Sequence, residues 1–98
     1  MKLLKGTEKQ IVWATQIREV IYKQVETAIG QVEFSEKQLK NVEVIKEAME
    51  NDNSAYWIES FQLNGADGIR NLFSFLNSKE CGIAGRKIAR QINENNGY

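Results

Sequence analysis

With 98 residues, 13 basic and 13 acidic side chains, one cysteine and no histidine, the chain has room for one domain and not for two. The lone Cys81 excludes an intramolecular disulfide, which fits a reducing compartment or indifference to redox state. The missing histidine removes imidazole acid–base catalysis, Ser-His and Cys-His nucleophile pairs, and most zinc and non-haem iron sites.

The segment Met1–Gly6 has a basic start but no apolar stretch of the secretion-signal kind. No window approaches the roughly 18 consecutive apolar residues that span a bilayer, so a cytoplasmic protein without a membrane partner is expected. Thr7-Glu8-Lys9-Gln10 then has the form of a capping box: the threonine hydroxyl accepts from the first turn, and the glutamine reaches back to the cap. Ile11, Ala14, Ile17, Ile21, Val25 and Ala28 follow at helical spacing, with Trp13 and Val20 widening the stripe. Gly30 reads as the C-terminal cap.

Ser35-Glu36-Lys37-Gln38 repeats the same opening, with Phe34 before the cap and Leu39 as its staple partner. Leu39, Val42, Ile45 (or Lys46) and Met49 make the second stripe. Aligned at an offset of 28, the two openings share five identities from Thr7–Ile21 to Ser35–Met49. Two copies of one way to start a helix explain this, and two units do not make a solenoid.

Asn51-Asp52-Asn53-Ser54 breaks the second helix and supplies caps for a third. The aromatic run Tyr56–Leu63 does not alternate cleanly, and the caps before it favour a helix over a strand. Asn64–Gly68 is a loop, with Asp67 a natural cap for a fourth helix through Ile69, Leu72, Phe73 and Leu76. After a break at Asn77–Gly82, a fifth helix carries Ile83, Ala84, Ile88, Ala89 and Ile92 and dissolves over Glu94–Tyr98. The expected architecture is all-α: a compact bundle of about five short helices in a single helical domain over 1–98, with tails frayed over about 1–5 and 94–98.

Charge is segregated along this chain. Met1–Val25 holds five basic and two acidic residues, Glu26–Asp67 three and nine, and Gly68–Tyr98 five and two. Ends packed on the middle would pair these charges across helix rims; alternatively, an acidic face and a basic face each meet a partner.

Glu43, Glu47 and Glu50 lie three and four residues apart on one helical face and are candidate protein-binding residues, together with Trp57. Trp13 and Trp57 read first as core, because two tryptophans in so small a helical domain more often fill it, then as interface anchors, and last as base-stacking platforms. Arg86 and Arg90, one turn apart, with Lys87, Arg70 and Lys79 near in sequence, are candidate nucleic-acid-binding residues. The order helix, break, basic helix over Asn71–Arg90 loosely follows a helix-turn-helix, although Gly85 lowers helix propensity there by about 1 kcal/mol. Gly82–Lys87 lacks the glycine spacing and the hydroxyl of a phosphate-binding loop, and Asn64–Gly68 lacks the oxygens of a calcium loop. No cofactor or metal is expected.

Gly6-Thr7-Glu8-Lys9-Gln10, then Trp13-Ala14 and Ile17-Arg18, resembles a G-[ST]-x-K-Q-x-x-W-A-x-x-I-R opening. That opening belongs to a group of small proteins from phages, plasmids and integrated elements of Gram-positive bacteria. Tyr56-Trp57-Ile58-Glu59 is similar to the group's later W-I-[DE] segment, but Ser60-Phe61-Gln62 stands where a basic residue often follows. The resemblance implies a mobile-element setting and no site residues.

The leading expectation is a non-enzymatic protein-binding accessory protein that acts on a host defence or replication factor. The alternative is a DNA-binding accessory or regulatory protein using the fifth helix, which a pI near 6.3 disfavours. An enzyme would have to use carboxylate, tyrosine, lysine or cysteine chemistry; Cys81 lies near a helix start, where its pKa would fall. A homo-oligomer pairing ends against middles is compatible with each reading.

Overall fold

The described residues form five helices: α1 (Glu8–Gln31), α2 (Glu36–Met49), α3 (Ser54–Ser60), α4 (Asp67–Leu76) and α5 (Gly82–Asn95). A computed structural model describes residues 3–61 and 67–97, for 67–69 the backbone only. At about 1.5 Å per residue α1 spans about 36 Å, and it sets the 41 Å long axis of the molecule. No strand occurs among the described residues, and no helix there is long and apolar enough to cross a membrane.

Both capping boxes form. Thr7 Oγ1 accepts from the Gln10 amide at 3.2 Å while Gln10 Oε1 accepts from the Thr7 amide at 3.0 Å. Ser35 and Gln38 repeat the pair at 3.3 and 3.0 Å. Asn53 caps α3 through its side-chain oxygen, which accepts from the Ala55 amide, so the aromatic run is helical from Tyr56 through Ser60 and leaves the helix at Phe61, with 62–63 outside the described residues. Of the loop expected at Asn64–Gly68, residues 64–66 lie outside the described residues, while Asp67 and Gly68 already belong to α4, so Asp67 stands inside the helix and not before it as its cap.

The core is built from Ala14, Ile17, Ile21, Val25 and Ala28 of α1, Ile45 and Met49 of α2, Trp57, Phe61, Leu72 and Leu76, and Ile88 and Ile92 of α5. Four apolar residues expected inside lie outside it: Trp13 is 47% exposed, Val20 42%, Leu39 49% and Ile83 55%. At 3.6 residues per turn, Trp13, Val20 and Leu39 sit about 90–110° from the mean direction of their helix's buried residues, and Ile83 nearly opposite. Arg18 takes the buried place on α1, and Gln38 lies on the inward side of α2.

The N-terminal segment is pinned. Leu4 is buried, the Lys5 amide donates to the Asp52 carbonyl at 2.7 Å, and the Ser54 amide donates to the Lys5 carbonyl at 3.0 Å. Lys5 also pairs with the Asp52 carboxylate at 3.4 Å. This corrects the expected fraying at Leu4 and Lys5, and α5 stays helical to Asn95. Above this clasp, Tyr56 meets Trp57 edge-on with ring centres 5.7 Å apart, and Phe61 meets Phe75 at 6.4 Å. Such pairs contribute about 0.5–1.5 kcal/mol each beyond their burial.

Polar clamps position α5. Asn95 Nδ2 donates to Gln31 Oε1 at 2.7 Å and Asn96 Nδ2 to Gln24 Oε1 at 2.9 Å, joining its C-terminal end to α1. Lys87 Nζ donates to the Glu33 carbonyl at 3.1 Å and to Gln38 Oε1 at 2.7 Å, and lies 5.8 Å from the centre of the Phe34 ring. α5 therefore spans α1 and α2 from one side. On the other side the two helices meet only sparsely, and a gap opens between them.

Candidate functional site

That gap is a groove of about 370 Å³, within the range of small-ligand pockets. α1 contributes Tyr22, Val25, Glu26, Ile29 and Gly30, which repeat at three- and four-residue steps along one flank. α2 contributes Lys46, Met49 and Glu50. The floor is apolar, because Val25 and Met49 belong to the stripes that also build the core. The rim is charged, because Glu26, Lys46 and Glu50 are the polar neighbours of those stripes.

Two shallower depressions continue the groove. One, against α1, is lined by Glu19, Tyr22, Lys23, Glu26 and Thr27; the other, along α2, by Glu43, Lys46, Glu47 and Glu50. Five carboxylates and two ammonium groups thus border one continuous surface. The expected acidic face of Glu43, Glu47 and Glu50 is real, and it forms one edge of this larger feature.

Tyr22 stands at the junction of the groove and the α1 depression. Its hydroxyl donates to Glu50 Oε1 at 3.4 Å, well beyond the 2.7–2.8 Å usual for such bonds, so the contact is loose. Partial burial, then the charges of Glu26 and Glu50, push its pKa above the ordinary 10.0. The phenol stays a neutral donor wherever a protein works.

The other expected residues are dispersed. Trp57, a candidate interface residue, is fully buried, and its indole N–H donates to the Asn51 carbonyl at 2.7 Å. It is a core residue and presents nothing to a partner. Trp13 is the exposed tryptophan. Arg86 and Arg90 do share the outer face of α5, with exposed Ile83 beside them. Lys87 does not join them as a phosphate contact: its ammonium is committed to Glu33 and Gln38. Arg70 lies in the first turns of α4 and Lys79 beyond its far end, so the five cations form no single track.

Cys81 reverses its expectation. It is buried, accepts a long bond from the Ser78 hydroxyl at 3.6 Å, and burial pushes its thiol above the ordinary 9.0. Burial disfavours the thiolate more than the nearby helix start favours it. Among the described residues no group of His, Cys, Asp or Glu is placed to hold a metal ion.

Tyr22, Glu26, Ile29, Gly30 and Lys46 are the site residues that sequence reasoning did not reach. Their spacing on α1 was visible, but the gap they face depends on how far α2 stands away. Comparison with protein-family models, with curated proteins and with solved structures finds no match.

Proposed function

We propose that this chain is a non-enzymatic protein-binding accessory protein of a mobile genetic element, acting by stoichiometric contact on a host defence or replication factor. The observation that carries the binding reading is the open α1–α2 groove, apolar below and rimmed by carboxylates on both helices. Hot-spot binding favours this layout, in which a water-excluding apolar centre sits inside a polar border. The mobile-element setting rests on the resemblance of the Gly6–Arg18 opening.

The test is co-purification of the tagged chain with host proteins, followed by size-exclusion chromatography. A stable stoichiometric complex is expected, and the triple variant Glu43→Lys, Glu47→Lys, Glu50→Lys should lose it. No complex under any host condition, or one indifferent to charge reversal, overturns the reading.

A second reading, duplex DNA binding through α5, is favoured by the exposed pair Arg86 and Arg90. It predicts a gel shift at low salt that fades steeply as salt rises and disappears in Arg86→Ala, Arg90→Ala. A flat titration at low salt removes it.

A further inference from the structure

Gly30 is the observation the fold does not explain. It is the penultimate residue of α1, its φ is ordinary, and the helix continues to Gln31 before leaving in an extended conformation at Val32. It is therefore not the left-handed cap its position suggested. A Cβ built on it meets nothing within 4 Å, so no packing demands a glycine either. A helical glycine lowers stability by up to about 1 kcal/mol relative to alanine, less near an end. What Gly30 does is keep the mouth of the groove low, exposing backbone beside Ile29 and Glu26.

Resting on the protein-binding reading, we propose that the groove receives a basic amphipathic helix of the partner. An apolar side chain of that helix would seat on Val25, Ile29 and Met49, and a lysine or arginine one turn away would lie between Glu26 and Glu50. Charge complementarity selects this occupant. Glu19, Glu26, Glu43, Glu47 and Glu50 outnumber Lys23 and Lys46 along the continuous surface, so an acidic or neutral segment would leave the rim uncompensated. Shape agrees, because two helices standing apart offer the valley into which a third helix packs, at 8–10 Å between axes when well seated. Gly30 lets that third backbone approach closely. The loosely held Tyr22 hydroxyl is positioned to donate to a carbonyl of the incoming segment.

A second copy of this chain offers a similar motif in Ile83, Arg86 and Arg90. The α5 face and the groove lie on opposite sides of α1 and α2, so one partner copy could not engage both, and the pairing would propagate into rings or open chains. A separate partner fits better.

The experiment titrates the intact chain with a synthetic helix of about 18 residues, long enough to fold, built from leucine and lysine. A leucine–glutamate counterpart serves as control. The expected result is a set of amide-resonance shifts at Tyr22, Glu26, Gly30, Lys46 and Glu50 with the lysine peptide alone, weakening with salt. Gly30→Trp should fill the groove and reduce affinity about tenfold or more, and Gly30→Ala, which adds only a methyl at the mouth, should reduce it by a smaller factor. Glu26→Gln with Glu50→Gln is the second variant, and circular dichroism confirms that each remains folded. Equal binding of the glutamate peptide, shifts confined to another face, or self-association of the chain through these same residues overturns the proposal. So does a host complex lost in the triple charge reversal yet intact in Gly30→Trp; that result leaves protein binding standing and removes the groove as its seat.

Discussion

Two helical glycines mark two opposite junctions in this molecule. Gly85, on α5, is buried against α4: a Cβ there would run into the Leu76 carbonyl oxygen and lie 2.5 Å from the Cys81 Cβ. Gly30, on α1, faces empty space at the α1–α2 gap. The same residue closes one seam and leaves the other open. A glycine in a helix thus tells little until the neighbour it does or does not touch is known.

The largest effect should come from the closed seam. Gly85→Ala forces α5 away from the end of α4 and should lower unfolding free energy by about 3 kcal/mol, read by urea denaturation. A loss near zero would mean that the seam is loose and the contrast false. Next is Lys87→Met, which keeps the stem against Phe34 but removes the ammonium from Gln38 and the Glu33 carbonyl. A loss of about 1 kcal/mol in the same assay is expected.

Gly30→Ala should act in the opposite direction, stabilising by a few tenths to about 1 kcal/mol, because helix propensity improves and nothing is displaced. Destabilisation there would show that the groove is filled by the chain's own atoms.

The smallest effects are pH-dependent. Cys81 and Tyr22 both have raised pKa values in the folded state, so each holds its proton more tightly there than when unfolded. Their contribution is complete below the ordinary values of 9.0 and 10.0 and is lost as pH climbs through the raised ones. Stability should therefore be unaffected by these groups at neutral pH and fall in the alkaline range, with Cys81→Ala delaying the onset. Salt separates the two regions: screening Glu26 and Glu50 should move the Tyr22 titration, followed by ultraviolet absorbance, toward its ordinary value. Burial leads for both groups, but Cys81 feels only the charge of Glu80 where Tyr22 feels two carboxylates, so the Cys81 titration should move less.

Much of the fold could be read from the chain. Thr7 and Ser35 announced their helices because a capping box is a local hydrogen-bond pattern, complete within four residues. Ala14, Ile17, Ile21, Val25 and Ala28 were equally clear, because a buried stripe is a matter of helical phase. Trp13, Val20, Leu39 and Ile83 misled because hydrophobicity was weighed ahead of angle, and each lies a quarter-turn or more from its stripe. Trp57 meets the expectation that both tryptophans are core, and Trp13 departs from it. The groove was invisible for a different reason: Tyr22, Glu26 and Glu50 meet only through the spacing of two helices, which no local pattern encodes. Gly85 looked like a flaw in a recognition helix; it is where the backbone of α5 packs tightly against the end of α4.

One contact joins the local to the global. Gln38 Oε1 accepts from the Ser35 amide, which starts α2, and from Lys87 Nζ, which ties α5 to it. The corresponding oxygen in the first box, on Gln10, bonds to the Thr7 amide and, among the described residues, takes no second tether from another helix. Fraying of α2's first turn therefore loosens α5 as well, whereas the start of α1 is coupled instead to α3, through the Lys5 clasp on Asp52 and Ser54.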